Sequence, residues 1–166
     1  MRKHYLVRLL LGAAVATVAA LALSQPAQAE DPIVKLVSSQ SGECLQPSSL
    51  AQGASVIQMP CNGSTAQQWT VNSVNSTRVH LQNRAATGEC IDAFGPPADG
   101  TPIILWPCNF ISNENWSFGI GNNLLSSGES NTFSHCIATP GNNPGLAMEL
   151  RFCDGDSSQL WSRPAG

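Results

Sequence analysis

The feature that most constrains this chain is a motif that occurs three times with a period of about 46 residues. Each copy has an early cysteine, a second cysteine 17 or 18 residues later, and a closing tryptophan. The early cysteines are Cys44, Cys90 and Cys136. The closing residues are Trp69, Trp116 and Trp161. Three equivalent units predict three similar lobes. A period of this length also fits propeller blades, but three blades are fewer than the roughly 4 to 8 that close a propeller.

All six cysteines belong to the repeated part of the chain, so the repeat predicts how they pair. Spacing alone cannot choose among the pairings of six cysteines, but the repeat favours one bond inside each copy. The predicted disulfides are Cys44–Cys61, Cys90–Cys108 and Cys136–Cys153. Each closes a short loop and is expected to add about 3 kcal/mol by restricting the unfolded chain. The alternative, a zinc site, is disfavoured because the sequence has no Cys-x-x-Cys motif and no Cys/His cluster.

The first 29 residues have the pattern of a secretory signal peptide. Arg2, Lys3 and Arg8 make a positive start, residues 9–23 are almost all apolar, and Ala27-Gln28-Ala29 is a small-x-small cleavage site. A membrane anchor is the alternative, but this apolar run is shorter than the ~20 residues that span a bilayer. We therefore expect cleavage after residue 29, a mature domain at residues 30–166, extracellular localisation and no membrane insertion after cleavage. Disulfides are expected in that oxidising space.

The charge of the predicted mature chain argues against two classes of partner. All 11 acidic residues follow residue 29, whereas three of the 8 basic residues precede it. The remaining basic residues are Lys35, Arg78, Arg84, Arg151 and Arg163. Nucleic acid needs clustered Lys and Arg to replace its counterions, and anionic membrane surfaces also attract basic segments. Neither partner is expected.

The local pattern of the mature chain predicts an all-β fold. Short apolar segments, such as residues 33–37, 56–59, 79–81 and 103–106, are bounded by Gly, Pro, Asn and Ser. No sustained helical period follows the leader. We expect about four strands in each lobe, with lobes at approximately 32–75, 76–121 and 122–166. Closure of the three lobes into a ring would remove exposed sheet edges.

Each copy also ends in Gln-x-Trp or a close relative of it. The closing triplets are Gln67-Gln68-Trp69, Glu114-Asn115-Trp116 and Gln159-Leu160-Trp161. In register with three cysteine pairs, these triplets resemble the ricin B-chain type lectin family, also called family 13 carbohydrate-binding modules. The resemblance covers essentially the whole mature chain. It implies a β-trefoil, in which three four-stranded lobes surround a pseudo-threefold axis. We expect the three tryptophans to fill the core, and Gln67 and Gln159 to hydrogen-bond local backbone.

The three copies serve as internal controls that separate core positions from variable ones. Two positions are apolar in every copy and are predicted to be core. They hold Leu45, Ile91 and Ile137, and then Val56, Ile103 and Met148. Three other positions change chemistry between copies and are predicted to face outward. They hold Gln46, Asp92 and Ala138, then Met59, Trp106 and Arg151, and then Ala66, Asn113 and Ser158.

These variable positions are where the resembled family keeps its sugar contacts. Galactose-type recognition uses a carboxylate, an aromatic face and an amide. The resemblance assigns these roles to Asp92, Trp106 and Asn113 of the middle copy. Asn109 can add a polar contact, and Glu114 stands where many members use Gln, which leaves its role as a sugar contact open. The alternative is coincidence, with an exposed Trp and an Asp that serves the turn at Gly95-Pro96-Pro97.

The other two copies lack the full set of sugar-binding side chains. The first copy offers Gln46, Met59, Asn62 and Ala66, and the third offers Ala138, Arg151, Asp154 and Ser158. Both are expected to support the fold. The predicted function is therefore a secreted lectin that binds a galactose-like or xylan-type glycan at one middle-lobe site, without metal or cofactor. The oligomeric state stays open.

Two other functions compete with this prediction. One is a β-trefoil that binds protein, for instance a protease inhibitor, and has no sugar site. The other is a small hydrolase, which would need paired carboxylates or a nucleophile with a base. The sequence has no hydrolase motif, and His80 and His135 are expected to be surface or capping residues. Catalysis is therefore not expected.

Overall fold

The computed structural model describes residues 32–119, 125–127 and 134–166. The signal peptide predicted at residues 1–29 lies outside the described residues. Within the described ranges the chain forms β-strands and three short 3-10 helices. Among these residues, no helix has the length and apolar character needed to cross a membrane.

The strands follow one another in the order that the repeat predicts. Those of the first part of the chain are β1 (Ile33–Val34), β2 (Val37–Ser38), β3 (Cys44–Pro47), β4 (Val56–Met59) and β5 (Trp69–Ser73). The middle part contributes β6 (Val79–Asn83), β7 (Glu89–Ala93), β8 (Ile103–Pro107) and β9 (Trp116–Phe118). The last part contributes β10 (Leu125–Ser127), β11 (His135–Ala138), β12 (Glu149–Phe152) and β13 (Trp161–Ser162). The 3-10 helices are Thr65–Gln67, Ser112–Glu114 and Ser157–Gln159.

Three antiparallel hairpins in the same register give the fold its threefold character. In β3–β4, Cys44 pairs with Met59; in β7–β8, Cys90 pairs with Trp106; and in β11–β12, Cys136 pairs with Arg151. Isolated bridges then join the hairpins in a triangle, namely Ser55–Ile104, Ile57–Ala147 and Pro102–Glu149. Each hairpin therefore contacts both of the others.

The ends of the described chain also pair, and this pairing closes the ring. Strand β13 runs antiparallel to β2, with Trp161 opposite Ser38. Strand β1 pairs with β5, which continues through β6 into β9 and β10. The predicted closed, threefold all-β architecture is confirmed.

The core contains the residues that are apolar in every copy. All six predicted core residues are buried, and Trp69, Trp116 and Trp161 are fully enclosed. Each indole Nε1 donates a hydrogen bond to the carbonyl of the residue after the first cysteine of its own copy. The acceptors are Leu45 O at 3.2 Å, Ile91 O at 2.9 Å and Ile137 O at 3.0 Å. The tryptophans therefore fill the core and also tie the closing strand of each copy to its hairpin.

Disulfides and buried amides brace each hairpin. The cysteines are joined as predicted, in the pairs Cys44–Cys61, Cys90–Cys108 and Cys136–Cys153. The side chain of Gln67 accepts from Asn62 N at 2.8 Å and donates to Pro60 O at 3.0 Å. Gln159 accepts from Asp154 N at 3.1 Å and donates to Phe152 O at 2.7 Å. Both amides hold the loop after the second cysteine.

Candidate functional site

The middle hairpin and the short helix that follows it bring two predicted site residues into contact. Asp92 lies on β7, and Asn113 lies in the helix Ser112–Glu114. The Nδ2 of Asn113 donates to Oδ2 of Asp92 at 2.7 Å. A carboxylate and an amide that are 21 residues apart in the chain thus form one polar pair.

The structure corrects the prediction that Asp92 faces solvent, because its side chain is only 1% exposed. The neighbouring Ile91 points into the core, so Asp92 is on the opposite face of β7. The helix that carries Asn113 packs over that face. Ala138, at the matching position of the third copy, is buried as well. A position can therefore vary in chemistry between copies without being exposed.

Asn113 also has a buried acceptor that is unpaired. Its Oδ1 is buried and has no hydrogen-bond partner in the described part of the chain. An unpaired buried acceptor costs about 1–3 kcal/mol. Because this oxygen is buried, a ligand hydroxyl could pair with it and remove that cost only if the side chain became accessible, whereas Nδ2 of the same amide already orients Asp92.

Trp106 lies on β8 opposite Cys90 and is half-buried. Its ring is 6.2 Å from that of Phe94, centroid to centroid, with the two planes tilted by 39°. A partly exposed indole next to a polar pair can stack on the apolar C–H face of a sugar. The predicted aromatic member is therefore on the same hairpin as Asp92.

Asn109 is exposed in the loop after Cys108. Its Oδ1 accepts from Ile111 N at 3.1 Å, which holds the loop in a turn. This side chain therefore supports the backbone that leads to Asn113 and lies at the surface.

Glu114 does not have the exposure that a direct sugar contact requires. It is fully buried, and its carboxylate accepts from Asn109 N at 3.1 Å and from Phe110 N at 2.8 Å. Gln67 and Gln159 hold the same loop in their own copies. The structure therefore does not support Glu114 as a sugar contact, because its carboxylate braces the loop that carries Asn109.

The charge of Glu114 affects a neighbouring carboxyl group. Glu89 precedes Cys90 on β7, and partial burial raises the pKa of its carboxyl above the usual 4.5. The negative charge of Glu114 is the second, smaller cause of this rise. One carboxyl oxygen of Glu89, Oε2, is buried without a partner among the described residues.

The other copies do not reproduce this arrangement. In the first, Oε1 of Gln46 accepts from Gln67 Nε2 at 2.9 Å, so that group is engaged inside the lobe. In the third, Ala138 has no polar side chain, and Nε of Arg151 donates to Glu149 Oε1 at 2.7 Å. At the position of Asp92, therefore, the first copy has an amide that is already hydrogen-bonded, and the third copy has no polar group.

The two histidines of the domain differ from each other in environment. His80, predicted to be a surface or capping residue, is buried, and its Nε2 lies 2.9 Å from Oδ1 of Asn115. The side chain fills space under the loop of Phe110, whose ring centroid is 5.0 Å away. His135 is half-buried and lies 3.7 Å from a carboxylate oxygen of Asp99.

Within residues 32–119, 125–127 and 134–166, no cluster of three or more His, Cys, Asp or Glu side chains could hold a metal.

Two exposed rings of the middle copy are not among the residues that the sequence predicts to bind sugar. Phe94 follows β7 and is 59% exposed, and Phe110 follows Asn109 and is 61% exposed. Phe110 has a positive φ of 63°, at a position where the other copies hold Gly63 and Gly155. Comparison of the three copies at these positions would have identified both rings.

The fold resembles those of several solved proteins. A designed threefold-symmetric protein, ThreeFoil, matches with a TM-score of 0.72 and 24% identity over 79% of this chain and 96% of its own. An exo-β-1,3-galactanase from Clostridium thermocellum matches with a TM-score of 0.75 and 24% identity, over 83% of this chain but 31% of the enzyme. The Macrolepiota procera ricin B-like lectin, solved with lactose, matches with a TM-score of 0.67 and 21% identity over 85% of this chain and 100% of its own. At these identities the likeness establishes the β-trefoil fold.

The sequence comparisons settle the family. No curated protein matches the chain. The model of the ricin-type beta-trefoil lectin domain, however, matches residues 32–161. Together with the three equivalent hairpins, the three disulfides and the buried tryptophans, this match shows that the chain belongs to the ricin-type beta-trefoil lectin domain family.

Proposed function

We propose that this chain binds a galactose-like or xylan-type glycan through one site in the middle lobe. Membership in a lectin family supports carbohydrate binding in general. The observation that carries the finer proposal is the 2.7 Å hydrogen bond between Asn113 and Asp92, on the hairpin that also presents Trp106. The other two copies hold no equivalent set, so one site per chain is proposed.

Each of these three side chains has a distinct chemical task. Asp92 is 1% exposed, so a sugar hydroxyl reaches its carboxylate only when the side chain of Asn113 moves aside; hydrogen bonds to such a charged acceptor are the stronger kind. Oδ1 of Asn113 accepts from another hydroxyl. The indole of Trp106 covers the apolar face of the sugar ring. One aromatic ring and a few hydrogen bonds predict weak binding, so we expect a Kd for a monosaccharide on the order of 0.1–10 mM.

The role proposed for the chain is binding rather than catalysis. The match to the galactanase covers 31% of that enzyme, so the likeness concerns one part of a longer chain. We further propose that residues 30–166 form a secreted mature domain, with lobes near 32–75, 76–121 and 122–166. The three disulfides fit an oxidising compartment.

A glycan array followed by titration calorimetry tests this proposal. The mature chain is screened on the array and then titrated with galactose, lactose, xylose and xylotetraose. We expect one site per chain and loss of binding in Trp106→Ala. Met59→Ala, at the matching position of the first lobe, is the control and should bind normally. Absence of any glycan binding, together with capture of a protease, would instead favour the protein-binding β-trefoil.

A further inference from the structure

We propose that Phe94 and Phe110 are additional sugar contacts, so that the preferred ligand is an oligosaccharide of at least two neutral sugar rings. This inference rests on the proposed function and adds the class of ligand to it. The ring of Phe94 lies next to Trp106, and Phe110 lies in the loop that leads to the helix of Asn113.

The three copies of the repeat show that these rings are not part of the shared fold. The position of Phe94 holds Ser48 in the first copy and Pro140 in the third. The position of Phe110 holds glycine in both other copies. A side chain that two of three equivalent lobes omit is not needed to build a lobe. Both rings occur in the lobe that has the carboxylate, indole and amide set.

The backbone at Phe110 makes the strongest single argument. Gly63, Phe110 and Gly155 have φ values of 75°, 63° and 82°, so all three loops use the left-handed conformation. Glycine adopts this conformation without strain, whereas a side chain at such a position is strained. Strain that persists at one place in a fold often marks a functional residue. Phe110 therefore carries a conformational cost that its two counterparts avoid.

The ring of Phe110 is held in place and still open to a ligand. Its backbone N–H donates to Glu114 Oε2 at 2.8 Å, and its ring lies 5.0 Å from that of His80, centroid to centroid. His80 is in turn 2.9 Å from Asn115 Oδ1. The ring nevertheless stays 61% exposed. A supported aromatic ring costs a ligand little conformational entropy on binding.

The backbone of Phe94 is fixed in a comparable way, at the end of β7. Its N–H donates to Pro102 O at 2.9 Å, and the loop between them is tied by the Thr101 hydroxyl, which donates to Pro96 O at 2.6 Å. The Asp99 side chain of the same loop accepts from Phe152 N at 2.6 Å, which anchors the loop to the third copy. Phe94 thus holds a 59% exposed ring next to Trp106 on a braced turn.

The chemistry of this surface indicates a neutral oligosaccharide. The polar pair of Asp92 and Asn113 is largely buried, and the exposed side chains of the same hairpin and loop are apolar, namely Phe94, Phe110 and Ile111, the last of which is 54% exposed. Sugar rings combine hydroxyl edges with apolar faces, so a chain of them matches alternating polar and aromatic contacts. The carboxylates of Asp92, Glu89 and Glu114 would repel acidic sugars.

Calorimetry on Phe94→Ala and Phe110→Gly tests the inference. Wild type and variants are titrated with galactose against lactose, and with xylose against xylotetraose. We expect the oligosaccharide of the bound series to lose about three- to tenfold in affinity in each variant, the range for one aromatic contact. The monosaccharide should change by less than about twofold, since the central contacts remain. Phe152→Ala is the control, because that ring is 62% exposed in the third copy and should have no effect.

The two hypotheses fail in different ways. If the wild type binds no sugar of either series, the proposed function is refuted and this inference with it. If the wild type binds the monosaccharide and the oligosaccharide equally, or if both variants bind the oligosaccharide normally, only this inference is refuted. A patch that instead joins two copies of the chain would show as self-association in ultracentrifugation that both variants abolish, and that result also refutes it. Phe110→Gly adopts the residue of the other copies, so a loss of fold cannot explain its phenotype.

Discussion

Replacement of Asp92 by Ala should weaken the fold as well as the binding of sugar. The side chain is buried, and Asn113 Nδ2 donates to it at 2.7 Å. In Asp92→Ala that donor loses its partner, while Oδ1 of the same amide already has no partner among the residues that the structure describes. One buried polar group left unpaired costs about 1–3 kcal/mol. We therefore expect the free energy of unfolding to fall by about 1–3 kcal/mol.

A double-mutant cycle with Asn113→Ala isolates the contact itself. Urea unfolding of the two single variants and the double variant, with the disulfides intact, gives the coupling free energy. A hydrogen bond to a carboxylate predicts about 1.5–3 kcal/mol. Arg151→Ala is the control, because its ion pair with Glu149 is exposed and should contribute within about 0.5 kcal/mol.

A further variant separates stability from recognition. Asp92→Asn keeps the shape and an acceptor for Asn113, so its stability should stay close to that of the wild type. The affinity for sugar should fall, because the charged acceptor for the hydroxyls is gone. A coupling free energy near zero, or unchanged stability in Asp92→Ala, would refute the account of Asp92 as a buried, paired carboxylate.

Three further outcomes follow from the structure. Trp69→Ala should lower the free energy of unfolding by about 3–5 kcal/mol in urea titrations, because the indole is fully buried and hydrogen-bonded. The pKa of the Glu89 carboxyl is higher in the folded chain than in the unfolded chain, so the unfolded chain loses this proton at a lower pH. The stability that Glu89 contributes therefore falls as pH rises from 4.5 through the folded pKa. Glu114→Gln should reduce that fall and lower the pKa of Glu89 in an NMR titration; an unchanged pKa would contradict the charge coupling. Glycan binding should survive EDTA in calorimetry, and a loss that calcium restores would point to a calcium-dependent lectin.

The sequence determined the features that repeat. The cysteine pairs, the closing tryptophans and the two apolar positions recur at a fixed spacing, and each has the same local task in every copy. A residue such as Ile91 or Trp116 has the same position in its lobe as its counterparts have in theirs, so comparison of the copies was sufficient to predict that it is buried. The same comparison identified the positions that vary, and the resemblance to the lectin family assigned the carboxylate, aromatic and amide roles to the middle copy.

The tertiary structure decided what is exposed and which atoms meet. Asp92 was expected at the surface, but the helix that carries Asn113 covers it, and a contact across 21 residues of chain is not visible in spacing. The sequence leaves the role of Glu114 as a sugar contact open, and in the fold its carboxylate turns inward to two backbone amides. The left-handed backbone conformation at Phe110 is likewise visible only in the structure, where the loops of all three copies share it. The residue type alone would predict against it, because phenylalanine disfavours a positive φ. Exposure and backbone conformation depend on how separate segments pack, and this packing is why only the folded chain revealed them.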